Sequence, residues 1–152
     1  MRSSNSGRVS RGAAAILLAT AFNHFCDRVL GIRIEAFTGG IGYFSPLWVL
    51  DLFLVPFVAG VIVSVIYGFG GKWLSWIPSL IVRCVSYFGI AYQLIPVAPG
   101  SSLMPLGWWG FFVILAMEAA AFGGVIGEVA IKRTYGRSTP KKAVEQAGTV
   151  RR

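Results

Sequence analysis

The stretch LWVLDLFLVPFVAGVIVSVIY, residues 47–67, decides the fold, because it is almost entirely apolar and Asp51 is its single charged residue. An α-helix rises about 1.5 Å per residue, so a helix of this length crosses the roughly 30 Å of a bilayer's hydrocarbon core. Residues 73–95 and 106–131 form two further apolar stretches of at least that length, each with tryptophan at its start. These three stretches predict transmembrane helices.

The apolar run from Ala13 to Cys26 is shorter than the roughly 20 residues that a span needs. The helical pattern can continue to about Ile34, which predicts a first helix over residues 13–34. A cleaved signal peptide is the alternative, because the start is basic and Ala19-Thr20-Ala21 has the form of a cleavage site. The bulky, polar residues that follow are poorly suited to a mature N-terminus, so the uncleaved helix is preferred.

The fold class that follows is an all-α membrane protein, a bundle of about four transmembrane helices. Glycines and prolines predict loops at residues 35–46 and 96–105 and a tight turn at 68–72. Lys and Arg are concentrated in two tails, residues 1–12 and 132–152, and the positive-inside rule then places both termini in the cytoplasm. The expected location is the cell membrane.

Composition agrees with a membrane protein and disfavours other classes. Hydrophobic residues make up 55% of the chain and charged residues 13%, against roughly 25% charged in soluble domains. The net charge of +8 could indicate nucleic acid, but ten of the 14 Lys and Arg lie in the two tails. We expect these tails to contact anionic lipid headgroups rather than nucleic acid.

Three charged residues fall inside the predicted spans: Asp51, Arg83 and Glu118. A charged side chain in hydrocarbon costs roughly 2.5–3.5 kcal/mol on insertion scales and therefore needs a partner or water. Counted from Trp73, Arg83 lies about 15 Å deep; counted from Leu106 on the opposite side, Glu118 lies about 18 Å deep. The sequence therefore predicts an Arg83–Glu118 ion pair near the midplane, with Asp51 within possible reach.

The neighbours of Arg83 indicate that it faces protein or water. Trp76, Ser79, Ser86 and Tyr87 share its stripe on the third helix at helical spacing. Three interpretations of the charge cluster remain open. It could be a structural ion pair, a carboxylate that exchanges a proton beside a fixed cation, or a contact with a charged residue of another subunit.

Small residues recur every fourth position on two of the predicted helices, a pattern that lets helix backbones approach closely in lipid. They are Gly60, Ser64 and Gly68 on the second helix, and Ala119, Gly123 and Gly127 with the parallel series Ala116, Ala120 and Gly124 on the fourth. Glu118 points away from these glycines, so the fourth helix needs protein on two sides. The second side could face another subunit or be covered within the bundle.

The single histidine, His24, could ligate haem or a metal ion. Its helical neighbours Asn23, Asp27 and Arg28 instead favour a hydrogen-bond cluster near the membrane interface. Near the end of the fourth span, Glu128 and Lys132 have the i,i+4 spacing of a surface ion pair.

No motif in the chain supplies catalytic chemistry, a metal site or a cofactor-binding loop. The sequence therefore predicts a protein that is not an enzyme and needs no cofactor. The first hypothesis is a non-catalytic subunit or assembly factor of a larger membrane complex, which binds other membrane subunits or copies of itself. The alternative is a small homo-oligomeric ion- or proton-coupled transporter or channel, with the three charged residues along its path.

Overall fold

The computed structural model describes residues 3–37 and 44–135. Four long helices dominate these residues: α1 (Ser3–Leu30), α2 (Pro46–Tyr67), α3 (Ile77–Ala91) and α4 (Leu106–Tyr135). Each is long and apolar enough to cross a membrane, α3 together with the preceding turn from Gly71. The predicted all-α fold with four such helices is confirmed. Most of the predicted C-terminal tail, residues 136–152, lies outside the described residues.

Two of the predicted helices, the first and the third, differ from the structure at both ends. α1 begins at Ser3, ten residues before the predicted start, and ends at Leu30 instead of continuing to Ile34. It ends there because Gly31 adopts a positive φ of 65°, which glycine tolerates without steric cost. The third helix begins at Ile77 rather than residue 73, since residues Gly71–Trp73 form a separate 3-10 turn, and it ends at Ala91.

Around the axis of the bundle the helices follow the order α1, α2, α4, α3. α2 packs against both α1 and α4, and α3 contacts the same two helices from the other side, whereas α1 and α4 lie at opposite corners. We call the end that carries the α1–α2 and α3–α4 connections the loop end. The end where α1 begins, α4 finishes and α2 turns into α3 is the tail end.

The closest contact in the bundle joins α2 to α4, which run parallel. Gly60 lies against the backbone carbonyl of Ala120, and Gly123 lies against the backbone carbonyl of Phe57, so a Cβ at either glycine would overlap an oxygen atom. The Ser64 hydroxyl donates a hydrogen bond to the Gly124 carbonyl at 2.7 Å. Small residues therefore bring the two backbones together without an intervening layer of side chains.

Not all of the predicted small-residue positions take part in this contact. Gly127 packs against Val61 and Ser64, as its spacing suggested. Ala119 is only half-buried and lies beside the contact. Gly68 is not a packing residue: it follows the last residue of α2 with a φ of 88°, donates its N–H to the Ser64 carbonyl, and has open space around it.

At the loop end the two connections fold back over the bundle. Two short strands that the sequence did not predict, β1 (Ala36–Phe37) and β2 (Ser102–Leu103), pair antiparallel, and the Met104 N–H donates to the Glu35 carbonyl at 2.9 Å. Beneath them a buried apolar cluster joins the α1–α2 connection to α2 and α4; its members are Ile34, Trp48, Leu52, Met104, Phe112 and Ala116. This packing fixes the position of Glu35.

Candidate functional site

A buried arginine with three carboxylates, which we call the Arg83 cluster, is the most concentrated chemistry among the described residues. The Arg83 side chain is 1% exposed. Its Nη2 donates to Asp27 Oδ1 at 2.8 Å and to Asp51 Oδ2 at 3.2 Å, and its Nη1 donates to Glu35 Oε1 at 3.2 Å. The guanidinium fork thus binds three acids through its two terminal nitrogens.

Each partner reaches Arg83 from a different part of the chain. Asp27 lies in the last turn of α1, Asp51 in the second turn of α2, and Glu35 in the connection that the β1–β2 ladder holds in place. The three side chains are nearly or completely buried, at 10%, 0% and 1% exposure in the same order. The Arg83 cluster therefore ties α1, α2, α3 and the first connection together at the loop end.

The charges of the Arg83 cluster do not balance by themselves. One guanidinium faces three carboxyl groups, and unpaired charge is costly where the dielectric constant is low. Glu35, in the connection outside the helices, illustrates the conflict: burial raises its pKa, and the guanidinium of Arg83 opposes that rise only in part. A proton or a further cation close by is therefore needed to neutralise the cluster.

A polar cavity of about 100 Å³ lies beside the Arg83 cluster, and two arginine side chains in its wall are such cations. Arg28, which is exposed, and Arg33, which is half-buried, both line it. With these two residues the loop end carries three arginines against three carboxylates. The remaining polar side chains that line the cavity are His24, Asp27, Glu35 and Ser86.

Polar side chains continue from the Arg83 cluster into the bundle between α1 and α3. Asn23, fully buried one turn before Asp27 on α1, donates to the hydroxyl of the buried Ser79 at 3.4 Å. Among the described residues, Asn23 Oδ1 and Asp51 Oδ1 accept no hydrogen bond. Both oxygens can still accept one from water, which commonly satisfies buried polar groups.

The predicted Arg83–Glu118 ion pair is wrong. Glu118 is exposed on α4 and forms no ion pair with any described residue, while Arg83 pairs with Asp27, Glu35 and Asp51. α4 turns Ala120 towards α2, and at 100° per residue Glu118 points about 200° away from it. The structure thus brings Asp51 to Arg83 as the sequence suggested and places Glu118 elsewhere.

Two smaller predictions have different outcomes. The Glu128–Lys132 pair forms, with its oxygen and nitrogen 3.2 Å apart, and this prediction is confirmed. The expected hydrogen-bond cluster of His24 with Asn23, Asp27 and Arg28 is not present. Asn23 and Asp27 turn inward to α3, and His24 is exposed at the rim of the polar cavity, where it forms no hydrogen bond with a described residue.

Sequence reasoning missed Asp27 and Glu35 as partners of Arg83 because it counted the depth of Arg83 from Trp73. Counted from the other end of α3, Arg83 lies eight residues before Ala91, about 12 Å from the loop end. Asp27 and Asp51 lie within two turns of that same end. Three of the chain's six acidic residues therefore cluster where two connections meet.

No protein-family model, curated protein or solved structure matches this chain. Within residues 3–37 and 44–135, no group of three or more His, Cys, Asp or Glu side chains has the arrangement of a metal site.

Proposed function

We propose that this chain is a non-catalytic subunit of a membrane assembly that docks through the outer face of α4. In this proposal the four helices span a bilayer, with the tail end on the cytoplasmic side. The basic residues at the tail end, among them Arg8, Arg11, Lys132 and Arg133, are exposed and suit an anionic leaflet.

The observation that carries the proposal is the exposure of Glu118 in the middle of an apolar stripe. Exposed side chains follow one face of α4 at spacings of three and four residues, and Glu118 is the single charged member between Phe111 and Val129. The apolar members are Phe111, Ile114, Phe122, Val125 and Val129, which are 42–66% exposed. We call this face the Glu118 stripe.

An ionisable group on the lipid face of a span costs roughly 2.5–3.5 kcal/mol, so it is normally covered by protein or reached by water. Glu118 lies about 18 Å along α4 from Leu106, too deep for its short side chain to reach either interface. A neighbouring transmembrane helix with a hydrogen-bond donor at that depth would satisfy the carboxyl group.

Removal of this carboxyl group tests the proposal. If the wild type is extracted in mild detergent as an assembly, we expect Glu118→Gln and Glu118→Leu to lose that assembly, while the released chain keeps its helical circular-dichroism spectrum. Glu128→Gln is the matched control, because Glu128 is the other described acid of α4 and pairs within its own helix. An assembly that survives Glu118→Leu would refute docking through this stripe.

Ion- or proton-coupled transport is the second candidate, and the buried polar atoms of Asn23 and Asp51 favour it. Such a path would use the Arg83 cluster and the α1–α3 interface, and Glu118 would lie outside it. The same experiment distinguishes the two functions when Asp51→Asn is added and flux is measured in liposomes. Lost flux with an intact assembly would support transport and contradict a purely structural role.

A further inference from the structure

α1 also presents an exposed polar side chain, His24, which lies at the rim of the polar cavity and complements Glu118. The exposed residues Leu17, Ala21, His24 and Arg28 follow one side of α1 at spacings of four, three and four. His24 forms no hydrogen bond with any described residue on its own chain. A neutral imidazole presents one N–H donor and a charged one presents two, so it can satisfy a carboxylate.

The depth of His24 can be compared with that of Glu118 because α2 contacts both helices. α1 and α2 run antiparallel, and Asp27 and Asp51 bind the same Nη2 atom of Arg83, so these two residues share a level. Gly12 contacts the Tyr67 ring near the tail end, which shows that the register persists along both helices.

α2 and α4 run parallel, and their closest contacts give the second register. The Gly60–Ala120 and Phe57–Gly123 contacts together place the point midway between Phe57 and Gly60 on α2 opposite the point midway between Ala120 and Gly123 on α4. Glu118 then lies opposite Val55, one helical turn further from the loop end than Asp51.

The two registers together place Glu118 at the level of His24. Val55 lies four residues after Asp51, so its level on the antiparallel α1 is four residues before Asp27, at Asn23. His24 is the next residue, and the offset is about 1.5 Å. Among the exposed basic residues that the structure describes, Arg28 lies nearer the loop end, and Arg8, Arg11, Lys132 and Arg133 lie at the tail end.

We propose that α1 of one copy packs against the Glu118 stripe of a second copy, with His24 donating a hydrogen bond to Glu118. This inference rests on the proposed function and names the docking partner. Of the possible self-contacts, α4 against α4 would bring two carboxyl groups together, and α1 against α1 would bring two imidazoles together. The α1–α4 contact alone places a donor opposite an acceptor at one depth.

The position of the two helices in the bundle determines the kind of assembly. α1 and α4 lie at opposite corners, so one neighbour cannot cover both faces of the same copy. The contact is therefore heterologous, each copy using α1 towards one neighbour and α4 towards the other. Because all copies share one orientation in the membrane, closure of such contacts produces a ring rather than a two-fold dimer.

Disulfide trapping in membranes tests this arrangement. Cys26 and Cys84 are free and half-buried, so both are first replaced by alanine. Co-expressed His24→Cys and Glu118→Cys chains with different tags should form a cross-linked pair of twice the 16.4 kDa chain mass. One chain carrying both substitutions should give a ladder that extends beyond two chains. Neither single variant should cross-link with itself.

Ile81→Cys provides the matched control, because Ile81 is exposed on α3 near the same level and is not on either face. Paired with Glu118→Cys, it should give no product. Dominant self-linking of Glu118→Cys, or no mixed product in chains that retain their helical spectrum, would overturn the proposal. Uncross-linked His24→Ala and Glu118→Gln should each dissociate the native assembly, and the double variant should dissociate it no further.

A photo-cross-linking amino acid at position 122, within the Glu118 stripe, separates failure of this inference from failure of the proposed function. An adduct of two copies supports the α1–α4 contact. An adduct with a different transmembrane chain overturns the self-contact and leaves the docking function standing. Adducts with lipid alone overturn both.

Discussion

The sequence predicts that Arg83 and Glu118 neutralise each other, but the structure places the two side chains in opposite surroundings. Arg83 is enclosed by three carboxylates from its own chain, and the first connection folds back to complete that shell. Glu118 points away from the bundle among exposed apolar side chains. The Arg83 cluster is thus satisfied within one copy, whereas our proposal assigns Glu118 to a contact with a neighbouring chain.

The largest expected effect comes from breaking the Arg83 cluster. Arg83→Met leaves three buried carboxylates without their cation, and removal of one partner of a buried ion pair typically costs about 3–5 kcal/mol. We expect a corresponding loss in the free energy of unfolding, measured by denaturation in detergent micelles. Glu118→Gln should change the stability of the isolated chain by less than about 0.5 kcal/mol, as is usual for exposed sites.

A rescue experiment shows whether charge is the cause. Arg83→Met combined with Asp27→Asn, Glu35→Gln and Asp51→Asn removes all four charges at nearly constant shape. This variant should recover much of the stability lost by Arg83→Met alone. If Arg83→Met were as stable as the wild type, the role assigned to the Arg83 cluster would be wrong.

A smaller effect is expected at the α2–α4 contact, which holds Glu118 on the outside. Gly60→Ala places a Cβ against the Ala120 carbonyl, and the backbone can relieve that overlap only if the helices separate. Overpacking of this kind costs about 1–3 kcal/mol. Thermal melting in micelles should show the loss.

Gly110→Ala is the matched control for Gly60→Ala. Gly110 lies in α4, and apart from its chain neighbours and the nearby backbone of α4 no atom lies within 4 Å of the point that an alanine Cβ would occupy there. Alanine at this position should therefore be neutral or stabilise the helix by up to about 1 kcal/mol. Equal losses at the two positions would indicate a general glycine effect and would remove the argument for close backbone contact.

Local sequence patterns predicted the helices and the two small-residue faces, which the structure joins in the α2–α4 contact, because a helix and one of its faces depend on residues close together in the chain. Apolar stretches of sufficient length define spans, and small residues every fourth position define one helix face. Gly60 and Gly123 therefore could be identified from spacing alone. The same spacing indicated that Glu118 points away from the small-residue face.

The partners of Arg83 could not be predicted in this way, because they depend on where helices end and how a connection folds. Depth counted from Trp73 assumed a continuous helix, but the 3-10 turn and the start of α3 at Ile77 make that count unsuitable. Glu35 reaches Arg83 only because β1 pairs with a strand 65 residues later, Phe37 with Ser102. No local pattern contains that information.

The smallest expected effect is that of Glu35 on the pH dependence of the melting temperature. It shows how the Arg83 cluster balances its charge. Burial raises the pKa of Glu35 above its ordinary value of about 4.3. The unfolded chain then loses this proton at a lower pH than the folded chain. The contribution of Glu35 to the free energy of unfolding is therefore greatest below about pH 4 and falls as pH rises through the raised pKa. Glu35→Gln should remove this part of the pH dependence of the melting temperature.

The comparison with Glu35→Gln isolates one group among the several charged or polar groups at the loop end. The others are Arg83, Asp51, Asp27, Arg28, Arg33 and His24. Glu35→Asp keeps a titrating carboxyl and should keep the downward slope. An upward slope assigned to Glu35 would mean that the guanidinium outweighs burial. In that case the Arg83 cluster would hold its acids fully ionised, and Arg28 and Arg33, rather than a proton, would complete its charge balance.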